Sequence, residues 1–371
     1  MDAQRFLSLT GARFFTGVPD SLLRPFLDTL MRLYPPDTAA HVIAANEGSA
    51  VALAAGHYLA SGDVGLVYLQ NSGMGHMLNP AVSLLHPKVY GIPVLFVIGW
   101  RGQPGVHDEP QHVYQGEITL KLLDDMQIPY SVVTRDTQPS DMEDTMRSFR
   151  ASFAEGISCA FVVEKGALTQ ESPYPYTHPA PLSREHALEI LTEYTGNAPI
   201  VSTTGKASRE LFEIRERKGQ GHGLDFLTVG SMGHASSIAL GICLEKPDTR
   251  VYCVDGDGAL LMHMGALVTI ARTHPRNLTY ILLNNASHDT VGGMPTAIET
   301  LACDRWAADL GFDRVCLCQD ENALRQALAQ KQEGLVFLEC RVAGGARDNL
   351  GRPTTSPAEN RDAFMRTLCH G

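Results

Sequence analysis

The sequence predicts an α/β protein of two units, each with a mostly parallel β-sheet flanked by helices. Short apolar runs alternate with longer runs of helical periodicity, which is typical of strand–helix–strand crossovers. The 371 residues suffice for two domains of ordinary size. A proline-containing segment without apolar periodicity divides the chain near its middle. We therefore predict a first domain at 1–169, a linker at 170–182 and a second domain at 183–371.

Composition and charge narrow the possible functions. The net charge of −11 and the lack of a long basic run argue against nucleic acid as a partner. No run reaches the roughly 18 apolar residues of a membrane span, and residues 1–13 lack the apolar core of a signal peptide. We therefore expect a cytoplasmic protein with no membrane partner. The eight cysteines form no C-x-x-C pair, so we interpret them as reduced thiols.

Two acidic residues of the first half each follow a predicted strand. Asp20 comes after the apolar run 14–18 and could simply cap the next helix. Glu47 comes after a strand at 41–45, and a glutamate in the first turn of a helix is commonly a surface charge. The helix that follows Glu47 is nearly apolar, however. We therefore expect this carboxylate to lie in dry surroundings.

A polar loop follows the predicted strand at 93–99. It begins near Arg101 and contains His107 and His112 without a clear period. Loops at strand ends often carry binding and catalytic residues, and imidazole titrates near neutral pH. The segment could equally be an ordinary solvated loop.

In the second half, the predicted strand at 199–202 ends near Lys206. Its ammonium and the hydroxyls of the two threonines before it could hold a phosphate or a substrate oxygen, or the threonines could merely cap the next helix. The next strand leads into the turn 230–233, which contains Met232. A methionine at a helix entry is more often part of the core than a ligand contact.

The strongest functional pattern lies in the stretch 251–296. One predicted strand ends at Gly256-Asp257-Gly258, a helix is predicted at 259–273, and the next strand ends at Asn284-Asn285. A crossover would place the two strand ends side by side at the carboxyl edge of one sheet. Oxygens of Asp and Asn suit Mg²⁺, which commonly takes its other ligands from phosphates and water. We therefore predict a metal-bridged diphosphate, with an ordinary turn as the alternative.

Gly-Asp-Gly followed by Asn-Asn after a helix and a strand resembles the signature of thiamine-diphosphate (ThDP) enzymes. The resemblance implies ThDP and Mg²⁺ as cofactors. Asp257 and Asn285 would ligate the metal by their side chains, and Ser287 by its backbone carbonyl. The other residues implied at the cofactor are Gly230, Ser231, Met232, Gly256, Gly258, Ala259 and His288.

The same resemblance implies specific roles for three residues. Glu47 would activate the cofactor through a hydrogen bond to its aminopyrimidine ring. Met232 would wedge the cofactor into a bent conformation, and the carbonyl of Gly230 would accept a hydrogen bond from its amino group.

Four matches narrow the resemblance to the phosphonopyruvate decarboxylase family: 16–21, 100–102 together with 108–112, 288–293 and 350–357. The family layout implies a pyrimidine-binding half followed by a diphosphate-binding half, without a central domain. The implied reaction is ThDP- and Mg²⁺-dependent decarboxylation of 3-phosphonopyruvate to phosphonoacetaldehyde and CO₂. Sulfopyruvate decarboxylase is the nearest alternative, and a non-catalytic nucleotide-binding module is the alternative from another class.

The resemblance also bears on substrate and assembly. Asp20, His107 and His112 are candidates for proton transfer, although the adjacent histidine pair of pyruvate decarboxylases is absent here. A 2-oxo acid that carries a dianionic phosphonate requires cations, and the candidates are Arg101, Lys206, Arg347 and Arg352, with His288 beside them. ThDP enzymes hold the cofactor between two subunits, so we expect at least a homodimer.

Overall fold

The computed structural model describes residues 1–36, 38–170 and 172–370, apart from the side chain of His370. The chain divides into two compact units, Met1–Pro175 and Tyr176–Gly371. The predicted bounds of the domains and linker stay a prediction, and Glu171 of that linker lies outside the described residues. Within the described ranges, none of the helices is both long enough and apolar enough to cross a bilayer.

The first unit is an α/β layer structure. Its described strands are β1 (Phe15–Gly17), β2 (His41–Ile43), β3 (Leu66–Gln70), β4 (Leu95–Gly99), β5 (Tyr130–Val133) and β6 (Cys159–Val163). They form one parallel sheet in the order β2-β1-β3-β4-β6-β5. The helices are α1 (Ala3–Thr10), α2 (Arg24–Leu33), α3 (Glu47–Ser61), α4 (Met74–Pro80), α5 (Pro110–Asp125) and α6 (Pro139–Ala154), with a π-helical turn at Ala81–Leu85 after α4.

Burial and capping explain why these segments fold as they do. Every residue of β4 and β6 is buried, as expected for parallel strands covered by helices on both faces. Helix α3 begins where the side chain of Asn46 accepts a hydrogen bond from the N–H of Ser49 at 2.8 Å. That cap makes Glu47 the first helical residue, close after the carboxyl end of β2.

The second unit repeats this architecture. Its described strands are β7 (Ile200–Ser202), β8 (Asp225–Leu227), β9 (Val251–Gly256), β10 (Leu278–Asn284), β11 (Arg314–Cys318) and β12 (Val336–Arg341). They form a parallel sheet in the order β11-β12-β10-β9-β7-β8. The helices are α7 (Arg184–Tyr194), α8 (Lys206–Arg217), α9 (Ala235–Glu245), α10 (Asp257–Met262), α11 (Gly265–Thr273), α12 (Cys303–Asp309), α13 (Glu321–Ala329) and α14 (Pro357–His370).

The predicted fold class is confirmed, with two parallel sheets flanked by helices and no third unit in the described part of the chain. The single helix predicted at 259–273 is wrong, because α10 ends at Met262 and α11 begins at Gly265. The break lies where the turn at Gly233 approaches closely. A Cβ atom there would lie 2.6 Å from Cδ2 of His263.

The end of the chain forms a helix that was not predicted. Helix α14 packs on β8, with the rings of Phe364 and Phe226 5.6 Å apart. Asn360 of this helix is buried against the strand. The interpretation of the cysteines as free thiols is confirmed, and among those described Cys369 is the exposed one.

Candidate functional site

The predicted metal ligands meet at the carboxyl edge of the second sheet. Strands β9 and β10 are adjacent and parallel, with Gly256 opposite Leu283. The carboxylate of Asp257, at the start of α10, accepts hydrogen bonds from the Thr296 hydroxyl at 2.5 Å and from the N–H of Ser287. The same N–H donates to Oδ1 of Asn285 at 3.1 Å. Asp257 and Asn285 are therefore neighbours, as the crossover predicts.

The electrostatics of Asp257 suit a bound cation. Burial raises the pKa of its carboxyl to about 6, against the hydrogen bond from Thr296 and those from backbone N–H groups, which lower it. A nearby divalent ion would favour the charged form again. The hydroxyl oxygen of Ser287 is buried without a hydrogen-bond partner among the described residues. A carboxylate, an amide oxygen and oxygens of serine fit a hard cation such as Mg²⁺.

Space beside these ligands also fits a cofactor. A Cβ atom on Gly256 would have no neighbour within 4 Å, so the backbone there borders open space. Residues 1–36, 38–170 and 172–370 contain no group of three His, Cys, Asp or Glu side chains placed to hold a metal. An ion at Asp257 would therefore depend on amide and carbonyl oxygens as well.

The turn that contains Met232 is held in an unusual conformation. Gly230, Ser231 and Gly233 have φ angles of 69°, 48° and 84°, in the left-handed region. The N–H of Gly230 donates to the hydroxyl of Thr204 at 3.0 Å, which fixes the turn to the end of β7. A Cβ on Gly258 would lie 3.2 Å from Cε of Met232, so the methionine packs against the turn that contains Asp257.

A buried histidine and the ion pairs of an aspartate hold the loop after Ser287 in place. The imidazole of His288 is buried, and burial lowers its pKa to about 4, so the ring is neutral at pH 7. The carboxylate of Asp289 accepts hydrogen bonds from the Arg184 guanidinium at 2.6 Å and the N–H of Gly345 at 2.9 Å. Lys206 Nζ lies 3.3 Å from the same carboxylate. The structure thus gives Lys206 a carboxylate partner within the second unit.

The described contacts of the two predicted arginines near the end of the chain involve none of the predicted metal ligands. Arg347 forms ion pairs with Glu185, at 3.0 Å, and with Glu213. Arg352 is exposed. Their assignment as substrate-binding cations stays a prediction.

In the first unit, Glu47 is buried as predicted, with 5% of its surface exposed. Its Oε2 lies 2.7 Å from Nδ1 of His76, and this hydrogen bond raises the pKa of that imidazole. The other oxygen faces the backbone of Gly73, where a Cβ atom would lie 2.2 Å from Oε1. The catalytic role of Glu47 stays a prediction.

Asp20 is fully buried at the end of β1. Its Oδ1 accepts a hydrogen bond from the side chain of Gln70 at 2.6 Å, while Oδ2 is buried without a hydrogen-bond partner among the described residues. Burial raises the pKa of Asp20, although the N–H groups of Leu22 and Leu23 donate to it. The helix-cap alternative for Asp20 is wrong, because the N-cap of α2 is Leu23 and no side chain caps that helix. Asp20 instead accepts hydrogen bonds from the turn before α2 and presents a carboxyl group of raised pKa.

Arg101 is close to Asp20 and is held by Asp108. Its Nε and Nη2 donate to the two carboxylate oxygens of Asp108 at 2.7 and 2.5 Å. Burial opposes the charge of Asp108, but these bonds hold its pKa well below the usual range. His112 is buried nearby, and burial followed by the charge of Arg101 lowers its pKa to about 4. His107 lies exposed in the loop before α5.

Comparison with known proteins identifies both halves of the chain. Residues 4–128 match the N-terminal TPP binding domain of thiamine pyrophosphate enzymes, and residues 203–340 match the C-terminal TPP binding domain. The chain belongs to the thiamine pyrophosphate enzyme family. The prediction of two ThDP-binding domains is thereby confirmed. The assignment of the pyrimidine ring to the first half and of the diphosphate to the second stays a prediction.

Relatives within this family match over nearly the whole chain. Phosphonopyruvate decarboxylase of Streptomyces viridochromogenes is 35% identical over 94% of this chain and 89% of its own. The enzyme of the same name from Streptomyces hygroscopicus is 33% identical over 94% of this chain and 88% of its own. A sulfopyruvate decarboxylase of Methanosarcina acetivorans is 26% identical over 87% of this chain and 86% of its own. The chain is therefore more similar to the phosphonopyruvate decarboxylases than to that relative.

Several residues at the site were not found from the sequence. They are Gln70, His76, Arg184, Thr296 and Glu339. Two of them carried a signal, since Gln70 ends a predicted strand and Glu339 is a lone charge inside an apolar run. The others come from distant segments whose proximity depends on the fold.

Proposed function

We propose that this chain catalyses the ThDP- and Mg²⁺-dependent decarboxylation of 3-phosphonopyruvate to phosphonoacetaldehyde and CO₂. The similarity to two phosphonopyruvate decarboxylases over 94% of the chain carries this proposal. A buried glutamate in the first cofactor-binding domain and an adjacent Asp–Asn pair in the second support it. A non-catalytic nucleotide-binding module would need no buried Glu47.

Residues of the second unit would hold the cofactors. Asp257 and Asn285 would bind Mg²⁺ by their side chains and Ser287 by its carbonyl, while Met232 would orient the organic cofactor. When bound, ThDP supplies a nucleophilic carbon and an electron sink for decarboxylation. Neutral, buried His288 would exclude water from this end of the site.

Glu47 would move the proton that activates the cofactor. Its Oε2 is engaged by His76, so Oε1 is the oxygen available for a proton at the cofactor ring. The carboxylate lies in dry surroundings, where its hydrogen bonds are stronger than in water. General acid–base catalysis of this kind typically contributes about 10²–10⁴-fold in rate.

Asp20, Arg101 and His112 would act on the substrate. Asp20 would hold a proton on Oδ2, the oxygen without a partner, because its pKa is raised by burial. Neutral His112 would accept or donate at Nδ1, which is also buried without a partner among the described residues. Arg101, Lys206 and Arg347 are all paired with carboxylates and would have to share or leave them to bind the phosphonate. Arg101 differs from the other two in lying near Asp20, the candidate for proton transfer.

The functional assembly would be a homodimer or a larger homo-oligomer. Family membership supports this, because such enzymes hold one cofactor between the pyrimidine-binding domain of one subunit and the diphosphate-binding domain of another.

A substrate comparison tests the proposal. We would measure CO₂ release with Mg²⁺ and ThDP from 3-phosphonopyruvate, sulfopyruvate and pyruvate, using wild type, Glu47→Gln and the exposed control Glu117→Gln. We expect preference for phosphonopyruvate, a loss of about 10²–10⁴-fold in Glu47→Gln and no change in the control. Preference for sulfopyruvate would show that this acid, rather than phosphonopyruvate, is the substrate. If none of the acids gave ThDP-dependent CO₂ release, the proposed decarboxylase activity would be refuted.

A further inference from the structure

Strand β12 carries a carboxylate in an otherwise apolar position. Glu339 is 0% exposed, and its neighbours in the strand, Leu338 and Cys340, are equally buried. Burying a charge is costly unless it is paired and hydrogen-bonded, and an apolar side chain of similar size is often at least as stable. A buried carboxylate here therefore calls for a role other than packing.

Glu339 contacts the residue that precedes one of the predicted metal ligands. Its Oε1 accepts a hydrogen bond from Nδ2 of Asn284 at 2.8 Å, and Nη2 of Arg341 lies 2.9 Å from the same oxygen. Its Oε2 has no hydrogen-bond partner among the described residues. Asn284 is the last residue of β10 and directly precedes Asn285, the predicted metal ligand.

The hydrogen bond from Asn284 fixes which way its amide faces. Because Nδ2 points to Glu339, Oδ1 points the other way and accepts the N–H of Ala286 at 3.1 Å. Ala286 has a φ angle of 53°, in the left-handed region that alanine rarely adopts. This unusual residue lies between Asn285 and Ser287, and Ser287 donates its N–H towards Asp257.

We propose that Glu339 is a positioning residue for the Mg²⁺ site. It orients the amide of Asn284, which holds Ala286 in its left-handed conformation, so that the Asn285 side chain and the Ser287 carbonyl can face the ion with Asp257. Glu339 itself touches neither metal nor cofactor in this arrangement. The inference rests on the proposed Mg²⁺ site, and it is analogous to outer hydrogen bonds that orient the ligands of other metal sites.

Three variants separate orientation from charge pairing. Glu339→Met keeps the approximate volume but removes the acceptor for Asn284. Glu339→Gln keeps an oxygen that can accept from Nδ2. Arg341→Met removes the ion pair but leaves the hydrogen bond between Glu339 and Asn284.

The readout is binding rather than turnover. We would titrate Mg²⁺ into each variant in the presence of ThDP by calorimetry, without substrate, and record the Tm of the metal-free protein. We expect Glu339→Met to weaken Mg²⁺ binding by about 10–100-fold, the usual effect of losing such a partner, with Glu339→Gln and Arg341→Met close to wild type. The inference would be overturned if Glu339→Met bound Mg²⁺ as tightly as wild type. It would also be overturned if Arg341→Met weakened Mg²⁺ binding as much as Glu339→Met does.

A donor–acceptor exchange covers the case in which Glu339→Met does not fold. Asn284→Asp places two carboxylates in contact, and adding Glu339→Gln restores one hydrogen bond with donor and acceptor reversed. We expect the single variant to bind Mg²⁺ weakly and the double variant to recover, whereas no recovery would contradict the positioning role. Wild-type protein that binds no Mg²⁺ with ThDP would instead refute the proposed function, and with it the site on which the inference rests.

Discussion

Two glycines of the first unit determine where its buried carboxylates can lie. A Cβ atom on Gly73 would be 2.2 Å from Oε1 of Glu47, and one on Gly99 would be 2.0 Å from Oδ2 of Asp20. Gly73 has a φ angle of −77°, which any residue adopts, so space rather than backbone conformation requires glycine there. Each carboxylate packs directly against the backbone of a glycine, where any side chain would collide with it.

Gly73→Ala should therefore disable the enzyme without unfolding it. The new methyl group would push the Glu47 carboxylate away from its position beside His76, and a displacement of about 1 Å can cost about 100-fold in rate. Steady-state CO₂ release and thermal melting would be measured together. Gly75→Ala is the matched control, because a Cβ there meets no atom within 4 Å. Equal turnover by the two variants would show that the contact with Gly73 is unimportant.

The sequence predicted those site residues that depend on local rules. The burial of Glu47 followed from an apolar helix after a strand, and the meeting of Asp257 with Asn285 followed from the crossover rule. Thr296 could not be found in this way. It reaches the Asp257 carboxylate from another segment, and a hydroxyl carries no sequence signal for such a contact.

Among helices and strands, the errors of prediction concentrate at the edges of the sheets. Strands β5 and β11 were not predicted, and both are edge strands with mostly half-buried residues, so neither shows a continuous apolar run. Helix α14 was not predicted either, because few of its side chains are buried. Its attachment depends on Asn360, whose side-chain amide forms hydrogen bonds with the backbone of β8 as a neighbouring strand would. Nδ2 donates to the carbonyl of Asp225 at 2.8 Å, and Oδ1 accepts the N–H of Leu227 at 3.1 Å.

Asn360→Ala should loosen α14 from the edge of the second sheet. The variant leaves the buried N–H of Leu227 and the carbonyl of Asp225 without their partner, and each such loss costs about 1–3 kcal/mol. Urea unfolding should show a lower free energy of unfolding, and hydrogen exchange at the Leu227 amide should become faster. Arg366→Ala, on the exposed side of the same helix, should change neither quantity. Unchanged exchange at Leu227 would argue against this role of Asn360.

The chain as a whole presents two cofactor-binding domains, each with predicted site residues at the carboxyl edge of a parallel sheet. Glu47 follows β2 in the first unit, and Asp257 follows β9 in the second. This arrangement was predictable, since ligands of open α/β sheets bind beyond the carboxyl ends of the strands. The pairing of one domain with another in the assembly was not predictable from residue patterns and came only from the family resemblance.

Subunit complementation tests that pairing. Glu47→Gln and Asp257→Asn should each be inactive alone, because each removes one half of every site. If the cofactor is held between chains, mixing the two variants under conditions of subunit exchange should restore about one quarter of wild-type CO₂ release, since half of the dimers are mixed and half of their sites intact. If both halves come from one chain, mixing should restore nothing.

Ser231 and Ala286, which lie next to the predicted cofactor and metal ligands Met232 and Asn285, adopt left-handed φ angles of 48° and 53°, where glycine would be the less strained choice. Directed evolution for heat tolerance alone would accordingly favour glycine at both positions. Selection for turnover would oppose it, because glycine frees the backbone that aims Met232 and Asn285. The two residues thus mark places where a survey of natural variants should find stability and catalysis selected in opposite directions.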